Sequence, residues 1–277
     1  MYTYILWNPD GIIVDLGFFA LRWYSLLFAL GFIAGYQVLQ HYFKKEGIKQ
    51  EKLDRLNIYL IIATVVGARL GHCLFYDFEY YSQHITEIFL PVQFSPTFQF
   101  TGFQGLASHG GGIALIIALI MYARRERVSL FWVLDVVAIA TALVGAFIRL
   151  GNLMNSEIIG KPSSVAWAFV FSKIDSLPRH PAQLYEAILY LIIFAILSAI
   201  SQYKPKPQGY IFGLFLTLVF SARFIVEFFK ENQSAFEADM FLNMGQWLST
   251  PFIIIGLVLL YAKHKQNTTH TGEVATS

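Results

Sequence analysis

Apolar positions along this chain fall in long continuous runs, and polar residues gather in short gaps between them. A bilayer core takes roughly 20 apolar residues as helix, and hydrocarbon offers the backbone no hydrogen-bond partner, so runs of this length predict spanning helices. The pattern predicts seven, at about 17–42, 56–77, 105–123, 130–150, 183–202, 209–229 and 245–262. The third has the weakest outline, because its start is rich in glycine. The runs lack the ten-residue alternation of a membrane barrel. GFIAG at 31–35, GARLG at 67–71 and GYIFG at 209–213 place small residues four apart, which predicts helix faces that approach closely.

Composition agrees with the pattern. Of 277 residues 56% are hydrophobic and 14% charged, with a mean hydropathy of +0.54; a water-soluble domain has about a quarter of its residues charged. The predicted class is therefore an all-α polytopic helix bundle: residues 1–265 form one transmembrane domain and the polar stretch 266–277 a disordered tail. The gaps HYFKKEGIKQEKLDR, ARRERVS and YKPKPQ, with AKHK after the last run, hold twelve of the twenty Lys and Arg. The positive-inside rule puts them and the C-terminus in the cytoplasm and the N-terminus outside. The opposite gap, Asp77 to Gly105, has no Lys or Arg. The first run lacks a basic segment before it and a small-residue cleavage site after it, so it reads as a retained helix. Net charge is only +2 and topology accounts for its basic part, so no nucleic-acid partner is implied. Cys73 is the single cysteine and can form no internal disulfide.

The assignment converts polar residues into depths, at 1.5 Å of rise per residue. Arg69 lies about fourteen residues into the second span, roughly 20 Å into a core about 30 Å thick. Arg223 lies about as deep in the sixth span, and Arg149 near the outer end of the fourth. Arg22, Tyr24, His109, Gln183, Glu186 and Gln246 fall near the outer starts of the spans that run the other way. The stretch FIRLGNLMNSEIIGKPS, 147–163, adds Asn152, Asn155 and Glu157 where a helix leaves hydrocarbon. Each arginine alone has a plain structural reading: Arg22 snorkels, Arg223 pairs with Glu227 one turn away, Arg69 binds carbonyls. Four converging on the acidic Glu157, Glu186 and Glu227 point to a shared anion site, with phosphate the natural guest of a planar guanidinium.

In SHGGG, 108–112, the glycines allow a ligand close to the backbone, and imidazole can take a proton near neutral pH. The plain alternative is a glycine-rich helix start with a hydrogen-bonded histidine. A serine hydrolase is disfavoured because no G-x-S-x-G elbow accompanies HGGG, and the seven histidines show no metal-binding spacing. Asp135 lies away from the cluster and reads as a helix contact. In RHPAQLYEA, Pro181 fits a first helical turn.

Together RWYSLLFALGF (22–32), GARLGHCLFYD (67–77), SHGGG, IRLGNLMNSEIIG (148–160), RHPAQLYEA (179–187), ARFIVEFFKE (222–231) and MGQWLSTPFIIIG (244–256) resemble the bacterial prolipoprotein diacylglyceryl transferase family. The 148–160 block resembles its signature, Gly-Arg-x-Gly-Asn-Phe-x-Asn-x-Glu-x-x-Gly. The resemblance implies a seven-helix inner-membrane enzyme. It would move the diacylglyceryl group of phosphatidylglycerol to the lipobox cysteine of a prolipoprotein, releasing glycerol phosphate. By the same resemblance Tyr24, His109, Arg149, Asn152, Glu157, Gly160, Arg223 and Glu227 fall on functional positions, with Arg149 the lipid-binding arginine. Ile148, Leu153 and Val219 depart from the family pattern and put the pocket wall in doubt.

The mechanism expected on that basis has His109 take the cysteine proton while Arg149 and Arg223 hold the departing phosphate and Glu157 supports them. Tyr24, Asn152, Asn155, Gly160, Glu227 and Arg69 would bind the lipid. No cofactor is required, because the leaving group is already a phosphodiester. The rival classes are an anion transporter and a receptor-like bundle. Transporters tend to show repeats and a site near the midplane, whereas these polar residues crowd the outer half. A receptor has no need of convergent arginines.

Overall fold

The computed structural model describes residues 4–17, 20–90, 92–94, 99–100, 107–203, 206–232, 237 and 240–274. In chain order it has strands β1 (Ile5–Trp7), β2 (Ile12–Asp15) and β3 (Ala20–Arg22), then helices α1 (Trp23–Lys45), α2 (Gln50–Phe75), α3 (Phe78–Gln83) and α4 (Ile85–Phe89). After these come β4 (Val92–Gln93), β5 (Gln99–Phe100), α5 (Ser108–Glu126), α6 (Leu130–Met154), β6 (Phe169–Phe171), β7 (Pro178–Arg179), α7 (Ala182–Tyr203), α8 (Tyr210–Glu227) and α9 (Met244–Val274).

Among the described residues six helices are long and apolar enough to cross a membrane: α1, α2, α6, α7, α8 and the Met244–Lys265 part of α9. The protein is thus a mostly helical, multi-pass membrane protein. The outward faces of the long helices are apolar; Ile58, Ile61, Ile62 and Val65 of α2 are all exposed, as lipid requires and water would penalise. The expected third span corresponds to α5, which is not among the six. Residues 105 and 106 of its predicted start lie outside the described residues, and Arg124, Arg125 and Glu126 shorten its apolar stretch at the other end.

The first span begins later than the hydropathy pattern predicts. β2 and β3 form an antiparallel pair, with Asp15 opposite Ala20 and Ile12 opposite Arg22. Gly17 adopts φ +78°, and its N–H donates to Asp15 Oδ1 at 2.8 Å, so the chain turns back before the helix starts at Trp23. Arg22 is consequently an exposed strand residue and not part of a helix. At the other terminus the backbone of α9 is helical to Val274, across most of the stretch expected to form a disordered tail; side chains from 266 on lie outside the described residues.

The chain divides into two compact units, Gln40–Val133 and the remainder. In the first, α2 and α5 cross at glycines. A Cβ on Gly110 would lie 2.3 Å from the Gly67 carbonyl oxygen and 2.6 Å from Gly71 Cα, so only bare backbones reach this separation. At the far end of the pair, Arg55 Nη1 meets Glu126 Oε1 at 2.8 Å and Tyr122 OH donates to the Lys52 carbonyl at 3.0 Å. Arg69 of α2 is buried, donating from Nη2 to the Glu87 carbonyl at 2.7 Å and from Nε to that of Ile88 at 3.3 Å.

In the second unit Gly31 and Gly35 of α1 meet Phe147 and Val144 of α6, and Gly213 of α8 meets Gly256 of α9. Asp135 of α6 is a helix contact, as the sequence predicts. Its carboxylate accepts the N–H groups of Gly209 and Phe212, each at 2.7 Å, satisfying donors that the start of α8 leaves unpaired. A three-stranded sheet in the order β1-β6-β7 lies among the loops of this unit, β1 parallel and β7 antiparallel to β6. Phe169 and Phe171 of β6 are buried with Leu153 of α6, and Trp7, Ile159 and Leu184 pack on them. The Trp7 indole N–H donates to the Leu153 carbonyl at 2.9 Å, which fixes the sheet against the end of α6.

Candidate active site

Tyr24, Arg149, Asn152, Asn155, Glu157, Glu186, Arg223 and Glu227 gather at one end of the second unit, where α6 and α8 finish and α1, α7 and α9 begin. Tyr24 lies in the first turn of α1, and its ring covers Gly151 of α6; a Cβ there would sit 2.9 Å from the ring. Gly245, at the start of α9, lies against Glu227, where a Cβ would stand 2.4 Å from the carboxyl carbon. The i, i+3 spacing of Arg149 and Asn152 puts both on one face of α6, and Nη1 of the first donates to Oδ1 of the second at 3.2 Å.

From that face a relay of polar contacts runs out of the helix. Asn152 Nδ2 donates to Glu157 Oε2 at 3.1 Å, and Asn155 Nδ2 to Glu157 Oε1 at 3.0 Å. Glu157 can be gripped by two amides of its own chain because the chain turns sharply here: Ser156 and Ile158 both adopt φ +56°, a left-handed conformation that costs a non-glycine residue of order 1 kcal/mol. Gln183 donates to the Glu157 carbonyl, and Gln183 itself is fully buried.

On the other side of Arg149 lies Glu186. Nε stands 2.8 Å from Glu186 Oε2, and Glu186 Oε1 accepts from Lys230 Nζ at 3.1 Å. Lys230 Nζ donates also to Glu227 Oε2 at 3.0 Å. Arg223 on α8 lies within electrostatic reach of Tyr190, Glu186 and Glu227. The expected intrahelical pairing of Arg223 with Glu227 is not among the ion pairs of the described residues, in which Glu227 pairs with Lys230. Arg149, Arg223, Glu157, Glu186 and Glu227, spread over 79 positions of sequence, form one connected charge cluster. Burying these ions is tolerable because each has an opposite charge or a hydrogen-bond donor beside it.

Gly160 joins the cluster to the loops without reaching it by a side chain. Its N–H donates to the His180 carbonyl at 3.0 Å, Lys161 N–H to that of Phe229 at 2.8 Å, and Glu231 N–H to that of Ile159 at 3.1 Å. A Cβ on Gly160 would stand 2.3 Å from the His180 carbonyl oxygen and 2.8 Å from that of Phe229. Nearby, Arg179 pairs with Asp175 and Glu231 and donates to the Gly160 carbonyl at 3.2 Å. The guanidinium hydrogen bonds hold the Asp175 carboxyl below its ordinary range and, reciprocally, Asp175 raises Arg179. Burial lowers the His180 imidazole; its Nδ1 lies 3.0 Å from Tyr185 OH, which accepts from Trp167 Nε1 at 2.8 Å.

Two further expected members, Arg69 and His109, belong to the Gln40–Val133 unit. Arg69 is in the other unit, where its guanidinium holds the α4 carbonyls and lies 4.8 Å over the Tyr81 ring. His109 is in the first turn of α5, and its side chain lies outside the described residues. Of the glycines after it, Gly110 is the crossing point with α2, while Gly112 faces open space. Lys230 was not singled out in the sequence, where polar residues such as Lys230, Glu231 and Asn232 after an apolar run read as an ordinary helix end; only its burial marks it.

The family model for prolipoprotein diacylglyceryl transferase matches residues 11–262. The chain belongs to that family. It is 48% identical over 261 residues to the phosphatidylglycerol-prolipoprotein diacylglyceryl transferase of Bacteroides fragilis, covering 93% of this chain and 94% of the relative. It is 48% identical over 264 residues to that of Tolumonas auensis, covering 95% and 98%, and 43% identical over 268 residues to that of Chloroherpeton thalassium, covering 95% and 96%. Family membership thus spans every element that builds the charge cluster, from the hairpin before α1 to the apolar part of α9.

Proposed function

We propose that this protein transfers the diacylglyceryl group of phosphatidylglycerol to the lipobox cysteine thiol of a bacterial prolipoprotein, the first step of lipoprotein maturation. The observation that carries the reading, beside family membership, is Arg149: Nε and Nη1 are engaged by Glu186 and Asn152, and Nη2, which has no hydrogen bond among the described residues, is the proposed donor to a phosphate oxygen. In the reaction the cysteine sulfur forms a bond to the terminal glyceryl carbon as that carbon's bond to the phosphate oxygen breaks. The thiol proton leaves through a base, and glycerol phosphate departs as an anion.

Arg149 and Arg223 are the groups that hold this anion as its charge grows, and in surroundings of low dielectric their effect exceeds what water would allow. Glu157, fixed by Asn152 and Asn155, faces the glycerol end of the lipid, with Tyr24 closing one side and Glu227, paired with Lys230, near the other. Gly160 acts by letting the 159–163 segment lie against His180 and Phe229. His109 is the proposed base, since only a few per cent of a thiol with pKa near 8.5 is ionised at neutral pH. Arg69 holds α4 on α2 and is proposed to bind the lipid from that position. The chain is proposed to cross the cytoplasmic membrane seven times, α5 included, with its N-terminus outside and the site toward the periplasmic leaflet.

The test is direct. Purified protein given phosphatidylglycerol and a short lipobox peptide is expected to add the diacylglyceryl mass to the cysteine. Arg149→Ala is expected to insert normally and transfer nothing. Wild-type turnover in that variant removes the assignment.

A further inference from the structure

Lys230 lies three residues beyond the end of α8 and is 2% exposed. An ammonium buried this far persists only beside carboxylates, and it has Glu186 at 3.1 Å and Glu227 at 3.0 Å. Its backbone is held as well: Lys230 is bridged to Gly160, and both of its neighbours hydrogen-bond to the 159–161 segment. The ammonium therefore has little freedom to leave.

A buried triad of this kind is a poor source of stability, because apolar residues of equal volume often do as well. Its distinctive effect is on Glu186. A carboxylate and a guanidinium left to themselves form a two-point fork, with two parallel N–H···O bonds. Here Oε1 of Glu186 belongs to Lys230, and Oε2 is close to Arg149 Nε without lying in line for a hydrogen bond. The fork is not closed: among the described residues no hydrogen bond joins Arg149 to Glu186.

Resting on the proposed transfer reaction, we propose that Lys230 is a positioning residue: by occupying one oxygen of Glu186 it prevents the fork with Arg149 and so keeps a guanidinium edge available to the lipid phosphate. Charge works in the same direction. Arg149, Arg223 and Lys230 face Glu157, Glu186 and Glu227. Without Lys230 the cluster is negative by one charge at the place a phosphodiester anion must enter. Removing Lys230 thus weakens lipid capture in two ways while leaving peptide recognition unaltered.

The experiment compares full-length wild type with Lys230→Arg, Lys230→Gln and Lys230→Met, with lipid and peptide concentrations varied separately and thermal unfolding recorded for each. Both neutral variants are expected to lower kcat/KM for phosphatidylglycerol about tenfold or more, the loss of one charge-assisted contact, with peptide KM unchanged. Lys230→Arg is expected to stay within about threefold of wild type. Phosphatidylglycerol retained through purification, counted by mass spectrometry, is expected to follow the same order. A wild type that retains the lipid without transferring it sinks the proposed function alone, and retention in the variants then still decides the role of Lys230. The positioning role is overturned by a folded neutral variant with wild-type lipid kinetics, by a defect confined to peptide KM, or by an inactive Lys230→Arg. It is overturned too if neither neutral variant folds while Lys230→Arg is fully active, since Lys230 is then a determinant of folding only.

Discussion

Gly160→Ala separates two explanations of a glycine in the family signature. Ligand approach would require open space at its α-carbon, but the structure has backbone on two sides. An added Cβ would lie 2.3 Å from the His180 carbonyl oxygen and 2.8 Å from the Phe229 carbonyl oxygen, and neither can rotate away as a side chain would. Relief requires the 159–161 segment to move, which strains the Gly160–His180 and Lys161–Phe229 hydrogen bonds. Two such bonds contribute about 0.5–1.5 kcal/mol each, and overpacking costs about 1–3 kcal/mol, giving a loss of about 2–6 kcal/mol. At about 2–4 °C per kcal/mol for a chain of comparable size, the midpoint of thermal unfolding in detergent is expected to fall by at least about 4 °C. Hydrogen exchange at the Gly160 and Lys161 amides should quicken in step. An unchanged midpoint together with abolished transfer would refute the packing argument and return Gly160 to direct contact with the lipid.

Gly110→Val is expected to separate α2 from α5, lowering thermal stability more than Gly112→Val, whose Cβ would meet nothing within 4 Å; equal effects would deny the glycine crossing. Asp175 supplies a pH dependence. Because Arg179 holds its carboxyl below the ordinary value, the stabilisation is complete above the unfolded pKa near about 4 and is lost as pH falls through the folded value. The stability difference between wild type and Asp175→Asn should therefore be largest at neutral pH and vanish in acid, and a difference constant with pH contradicts it. His109→Ala is expected to lose transfer that rising pH partly restores, as more substrate thiol ionises by itself; a pH-independent defect assigns His109 to positioning.

The sequence by itself determined the class of the protein and most of its helices, because each depends on local quantities. A run of about 20 apolar residues predicts a span whatever else the chain does, and glycines four apart predict a close crossing. Gly31, Gly35, Gly67 and Gly213 were legible for that reason, and Asp135 as a helix contact. It also indicated that polar residues of several spans share one level, since alternating direction and fixed rise convert position into depth. The hairpin before Trp23 was not legible, because hydropathy does not register a turn made by Gly17 and closed by Asp15.

Tertiary structure decided which polar residues meet. Arg69 and Arg149 look alike at sequence level, each an arginine among apolar residues, but one is held by the carbonyls of Glu87 and Ile88 and the other by Glu186 and Asn152. Lys230 carries no local mark at all; its pairing with Glu186 joins residues 44 positions apart. The physical reason is that burial of an ion is acceptable only in the presence of its partner, and a partner on another helix is fixed by packing and not by spacing.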